Sequence, residues 1–219
     1  AFLISRIGKK PIVNTQKNIK AWDSVKDGLR FVLKNKIMLR AISLDLFAVL
    51  FGGAVALIPE FAEKILKVGP IGFGWLNAAM DIGSVLVIST LTLWPMKNKQ
   101  GYRLMYAVAG FGICIVIFGF SRLYWLSFMA LMIAGMMDGI SVIVRGTVLQ
   151  LTTPDDKRGR VSSVNSMFIN SSNELGQFES GFMARALGTV PSVIFGGAMT
   201  LLVVIITWFK APELRKFEY

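Results

Sequence analysis

Few residues in this chain are able to do chemistry, and they sit in unusual places. No histidine occurs, and the one cysteine, Cys114, lies inside an apolar run. That removes imidazole acid/base catalysis, Ser-His-Asp triads, His or Cys metal sites and disulfides. What remains is a set of carboxylates and amides embedded in apolar stretches: Asp45, Asp81, Asp138 with Arg145, and Glu174 and Glu179 beside Asn170, Asn173 and Gln177. A carboxylate in such surroundings can take up and release a proton, and amides can hydrogen-bond the polar groups of a small molecule. A metalloenzyme, a classical hydrolase and a disulfide-stapled secreted domain do not fit. No metal, no cofactor and no enzymatic activity are expected.

The elements that must hold these residues are membrane helices. The 219 residues are 54% hydrophobic and 17% charged, with a mean hydropathy of +0.59. Soluble domains run nearer ~45–50% apolar and ~25% charged. A helix needs about 20 mainly apolar residues to cross the hydrocarbon layer. Five stretches qualify: 38–62, 72–94, 104–120, 124–151 and 190–209. A sixth, 161–187, is too polar for a hydropathy window. If all six cross, starting from the cytoplasm, 19 of the 24 Lys and Arg fall inside. Lys64, Lys67, Arg122 and Arg185 fall outside, and Arg145 lies within a span. That is the positive-inside bias, and it gives the net charge of +11 to cytoplasmic loops rather than to nucleic acid. Without a crossing at 161–187 the basic tail would land on the wrong side. The expected chain is therefore an all-α membrane protein of six transmembrane helices with both termini cytoplasmic.

Residues 1–36 are read as the end of a preceding helix (1–7), a solvated linker and an amphipathic helix over 21–36. In that helix Trp22, Val25, Leu29 and Val32 recur at helical spacing against a basic remainder, a pattern drawn to anionic lipid. Residues 37–210 form the six-helix domain, 211–219 a cytoplasmic tail, and the whole reads as part of a longer protein.

Charges inside a bilayer cost at least ~2.5–3.5 kcal/mol each, so their positions are informative. Asp138, Ser141 and Arg145 share one helix face, and Gly135 and Gly139 bracket the acid so that a neighbouring helix can approach. Arg145 has two open roles: a cytoplasmic anchor that snorkels, or part of a pathway. Over 161–187, Asn170, Asn173, Glu174, Gln177 and Gly181 gather on one side, with Val164, Phe168, Leu175, Phe178 and Phe182 opposite. Such a helix survives in lipid only if its polar side meets protein or water. A hydrogen-bonded seam needs fewer polar groups than this, which favours a cavity wall. Asn170, Asn173, Gln177 and the shallower Asp45 are the substrate-cavity candidates. Counted from the inner ends, Asp81, Asp138 and Glu174 lie about 20 Å along their helices, and Asp45 and Arg145 about 10 Å. Two carboxylates held together in low dielectric resist ionising at once, as a proton carrier requires. Asp138, Glu174, Asp81 and Arg145 are thus the proton-coupling candidates. Tying helices together by hydrogen bonds is the other role open to them. In the loop 152–160, Pro154 ends one helix and Asp155 is placed to cap the next. Arg158 and Arg160 can anchor the loop inside, bind lipid phosphate or latch onto an acidic group.

Residues 144–161 (VRGTVLQLTTPDDKRGRV), running on into 165–181 (NSMFINSSNELGQFESG), resemble the last-third signature of one branch of the major facilitator superfamily, that of the enterobactin exporter. Residues 44–59 (LDLFAVLFGGAVALIP) resemble its seventh helix. The resemblance implies that the six spans are the seventh to twelfth of a twelve-helix fold, with 8–36 as the central loop. Its cavity side would be the four charged spans. One departure is plain: the superfamily's acidic-basic loop motif is reduced to KNKQGYR at 97–103, without its Asp, which counts against a latch there. The function implied is a secondary transporter in the bacterial inner membrane. It would export small amphipathic molecules of drug or siderophore type, driven by protons, as two six-helix halves rock about a midplane site. Substrate, proton, membrane lipid and an N-terminal six-helix half are the expected partners. A non-transporting scaffold, receptor or lipid-handling protein of the same shape remains the alternative.

Overall fold

The computed structural model describes residues 21–94, 96 and 99–218. The expectations for 1–7 and 8–20, and for Lys97 in the 97–103 loop, lie outside the described residues. All regular structure described is helical: α1 (Ala21–Lys34), α2 (Lys36–Phe51), a 3₁₀ turn (Gly53–Leu57), α3 (Ile58–Lys64), α4 (Pro70–Leu93), α5 (Gln100–Phe120), α6 (Tyr124–Thr152), α7 (Arg158–Leu187), α8 (Thr189–Lys210) and α9 (Pro212–Arg215). The starts are chemically ordinary. Asn35 caps α2 by accepting the Met38 N–H at 3.1 Å, and Pro70 opens α4 where its missing N–H costs nothing. Gly188 turns the chain from α7 into α8 at φ +93°, a left-handed conformation that suits glycine.

Five stretches are long and apolar enough to cross a membrane: Lys36–Lys64, Pro70–Leu93, Gln100–Phe120, Tyr124–Thr152 and Thr189–Lys210. At 30 residues α7 also has the length, about 45 Å, and only its polarity sets it apart. The first span is not the continuous helix expected over 38–62. It stops at Phe51, passes through the 3₁₀ turn and restarts at Ile58. Pro59 has no N–H to give the Val55 carbonyl, and Gly52-Gly53 offers no side-chain reason to keep the helix going. The glycines also let α7 press in. A Cβ on Gly176 would stand 2.7 Å from the Val49 carbonyl oxygen.

α6 packs tightly on α4 and α5, α5 on α8, and α2 on α7 and α8, while α6 and α7 scarcely touch. One core lies towards the α3 end, where the Phe61 and Phe118 rings meet at 4.3 Å. A second lies towards the α9 end around Leu44, Leu104, Val144 and Leu214. α1 docks through Val25 and Val32 onto Val161, Val164 and Leu149, leaving Trp22 and Leu29 exposed.

Candidate functional site

The gap between α6 and α7 is where the polar residues converge. Asp45, buried on α2, is ion-paired through Oδ2 with Nη1 of Arg145 on α6. The pair is nearly sealed, with side-chain exposures of 8% and 10%. Arg145 therefore does not snorkel to the membrane surface, because a buried carboxylate lies closer than water. Asp138 lies two turns further along α6, half-buried.

Three cavities meet at Asp138. One, of 310 Å³, is walled by the α2 break (Gly52, Gly53, Val55), by Met80 and Phe111, and by Asn173 and Gln177 of α7. A second, of 360 Å³, joins Asp138 to Asp45, Arg145, Asn165 and Asn173. A third, of only 20 Å³, is the crevice between Asp45, Ser141 and Asp138. Val49 and Asp138 line all three. The Ser141 hydroxyl and the Arg145 Nε are buried there without hydrogen-bond partners among the described residues. Cavities bordered by apolar walls, three amides and a reachable carboxylate can take a small amphipathic molecule and can exchange a proton with water entering them.

Not every residue singled out from the sequence arrives here. Asn173 and Gln177 line the cavities, whereas Asn170 and Glu174 are exposed and border none of the three. Of the deep carboxylates, Asp138 borders all three cavities and Glu174 none. Asp81 is exposed on α4 and borders none of the three cavities. Glu179, half-buried, leaves Oε1 without a hydrogen-bond partner among the described residues. Asn165, Val49 and the α2 break were not singled out, although the Gly-Gly pair ahead of Pro59 signals the break. Among the described residues no cluster of His, Cys, Asp and Glu could hold a metal.

The loop after α6 carries a correction. Asp155 does not cap α7, because a turn intervenes and the helix begins at Arg158. Its carboxylate instead accepts from Arg158 at 2.7 Å. Arg160 Nη1 donates to Asp27 Oδ2 of α1 at 2.6 Å, and Lys157 stands 3.6 Å from the same carboxylate. These two cations hold the Asp27 carboxyl below its ordinary value, the Arg160 hydrogen bond contributing most.

A family model described as transmembrane secretion effector matches residues 4–219. Among curated proteins, the enterobactin exporter EntS of Escherichia coli O1:K1, of Shigella boydii serotype 18 and of Escherichia fergusonii is in each case 21% identical over 191 residues. The match covers 87% of this chain and 46% of each relative, so the chain spans about half the length of the curated relatives it matches. No solved structure matches it.

Proposed function

Because this chain belongs to the transmembrane secretion effector family of the major facilitator superfamily, a family of transporters rather than enzymes, we propose that it forms one six-helix half of a proton-coupled exporter. The substrate class is small amphipathic molecules, carried across a bacterial inner membrane by alternating access. The observation that carries this reading is Asp138 at the junction of three cavities, beside an arginine already neutralised by Asp45.

In this mechanism Asp138 binds a proton when its cavities open to one side and gives it up when they open to the other. Arg145 and Asp45 neutralise each other in their buried ion pair two turns away, which leaves Asp138 as the carboxylate of this gap that titrates. The wall of Val49, Val55, Met80 and Phe111 takes the apolar body of a substrate, and Asn173 and Gln177 take its polar groups. The outward face of α7, with Asn170 and Glu174, would meet the N-terminal half, so that Glu174 and Asp81 act where the two halves close. The enterobactin exporters among the relatives favour export over uptake.

The test is Asp138→Asn in the full-length protein, reconstituted into vesicles under an imposed pH gradient. The variant keeps shape and hydrogen bonding but cannot titrate. It should bind substrate and lose uphill transport. Uphill transport with an unchanged pH dependence would refute the coupling role.

A further inference from the structure

α2 presents a second concavity on the face opposite Asp45. It lies between α2 and α8, holds 480 Å³ and is lined mainly by apolar side chains. Its shape follows from how the two helices cross. At one level they are in contact. A Cβ on Gly196 would collide with the Phe51 carbonyl oxygen, and Thr200 Oγ1 donates to the Ala48 carbonyl at 3.1 Å. From there towards Arg40 and Lys210 the helices part, with Leu44 as floor and Phe47, Leu202 and Ile206 as exposed walls.

The ends of this groove differ in charge. At the far end stand Phe51 and Met199, and at the near end Arg40 and Lys210. Arg40 pairs with Glu213 at 2.9 Å. Lys210 is exposed and has no carboxylate partner among the described residues. From Arg40 to Phe51, and from Met199 to Lys210, the groove runs about 16 Å at 1.5 Å per residue. Half of the ~30 Å hydrocarbon layer is about 15 Å. An apolar slot one leaflet deep, ending in two cations where headgroups begin, has the dimensions and polarity of one lipid.

We propose that this groove is a binding site for an anionic phospholipid. One acyl chain lies between Phe47 and Ile206, and the phosphate rests between Lys210 and Arg40. Glu213 holds the Arg40 guanidinium when no lipid is bound and competes with the phosphate when one is. The site is independent of the transport reading and can fail or stand without it.

Native mass spectrometry of the full chain in detergent, titrated with phosphatidylglycerol or with phosphatidylcholine of the same acyl composition, tests the proposal. Phosphatidylglycerol should be retained preferentially. A basic residue near a membrane surface contributes enough that Lys210→Gln should weaken phosphatidylglycerol by about fivefold and leave phosphatidylcholine unchanged. Glu213→Gln should strengthen phosphatidylglycerol, an effect that a merely structural ion pair would not produce. Both residues are solvent-exposed, so neither substitution threatens folding. A photoreactive phenylalanine analogue at position 47 should capture an acyl chain. Equal retention of the two lipids, no response to Lys210→Gln and Glu213→Gln, or capture at position 47 of another stretch of polypeptide instead of lipid would each overturn the proposal.

Discussion

Taking Arg145 and Asp45 out of water costs several kcal/mol for each ion, and only their attraction and hydrogen bonding offset it. Losing one partner strands the other. Arg145→Met should therefore destabilise the bundle by about 3–5 kcal/mol, while Asp45→Leu with Arg145→Met should recover most of that loss. Thermal unfolding in detergent of the wild type, both single variants and the double variant closes the cycle. A double variant no more stable than Arg145→Met would mean that the pair does not hold these helices together. Asp45, Asp81, Asp138 and Arg145 were legible in the sequence because each interrupts an apolar run. The depth arithmetic set Asp45 and Arg145 at one level, about 10 Å from the inner helix ends. It did not join them, because depth along a helix says nothing of which helices are neighbours. Glu174 shows the same gap from the other side. A helical wheel finds the polar face of α7 but not what stands opposite it, and of Asn170, Asn173, Glu174 and Gln177 only Asn173 and Gln177 reach the cavities.

Helix neighbours here are chosen by glycine. A Cβ on Gly135 would run into the Met80 carbonyl oxygen, one on Gly83 into that of Met132, and Ser84 Oγ donates to the Gly135 carbonyl at 2.9 Å. Backbone meets backbone at this α4–α6 crossing, and Gly135→Ala should cost about 1–3 kcal/mol because no side chain can yield. Gly146→Ala, on the same helix with nothing within 4 Å of the added atom, should be neutral or slightly stabilising. Melting the two variants side by side checks this, and equal melting temperatures would contradict it. The Gly135–Gly139 pair was readable in advance as a close approach. The α2 break has its signal in Gly52, Gly53 and Pro59, but a window of about 20 residues averages over that punctuation and returns one continuous span. α1 gives a pH prediction. Its Asp27 is held below the ordinary value of 3.8 by Arg160 and Lys157. A depressed folded-state value means that the docking energy is fully present above pH 3.8 and drains away as pH falls from there through the lowered value. The distance between spin labels at Arg30 and Ser162 should stay narrow at neutral pH and broaden below 3.8, and Asp27→Asn should broaden it at every pH. A distribution insensitive to both would show that apolar packing alone seats α1.

The handedness of the molecule in the membrane turns on α7. Five apolar spans are unambiguous, but an odd number of crossings would put α1 and α9 on opposite sides of the bilayer. In the structure Arg40 of α2 binds Glu213 of α9 at 2.9 Å, and Gly101 N–H donates to the Phe217 carbonyl at 3.1 Å. The start of the first span, the start of the third and the tail after the last therefore share one end of the bundle, which requires an even number of crossings and makes α7 the sixth. Its outward polar face then cannot lie in lipid, where each unsatisfied group costs several kcal/mol, and must meet water or a second half. We propose, from the excess of Lys and Arg there, that the shared end is the cytoplasmic one. Single cysteines at positions 122, 158 and 185 test all of this at once, because the native Cys114 is only 8% exposed and adds little background. A membrane-impermeant maleimide added outside intact cells should label positions 122 and 185. It should reach position 158 only after permeabilisation. Labelling of 158 alone from outside would invert the orientation, and labelling of 158 and 185 from the same side would show that α7 does not cross.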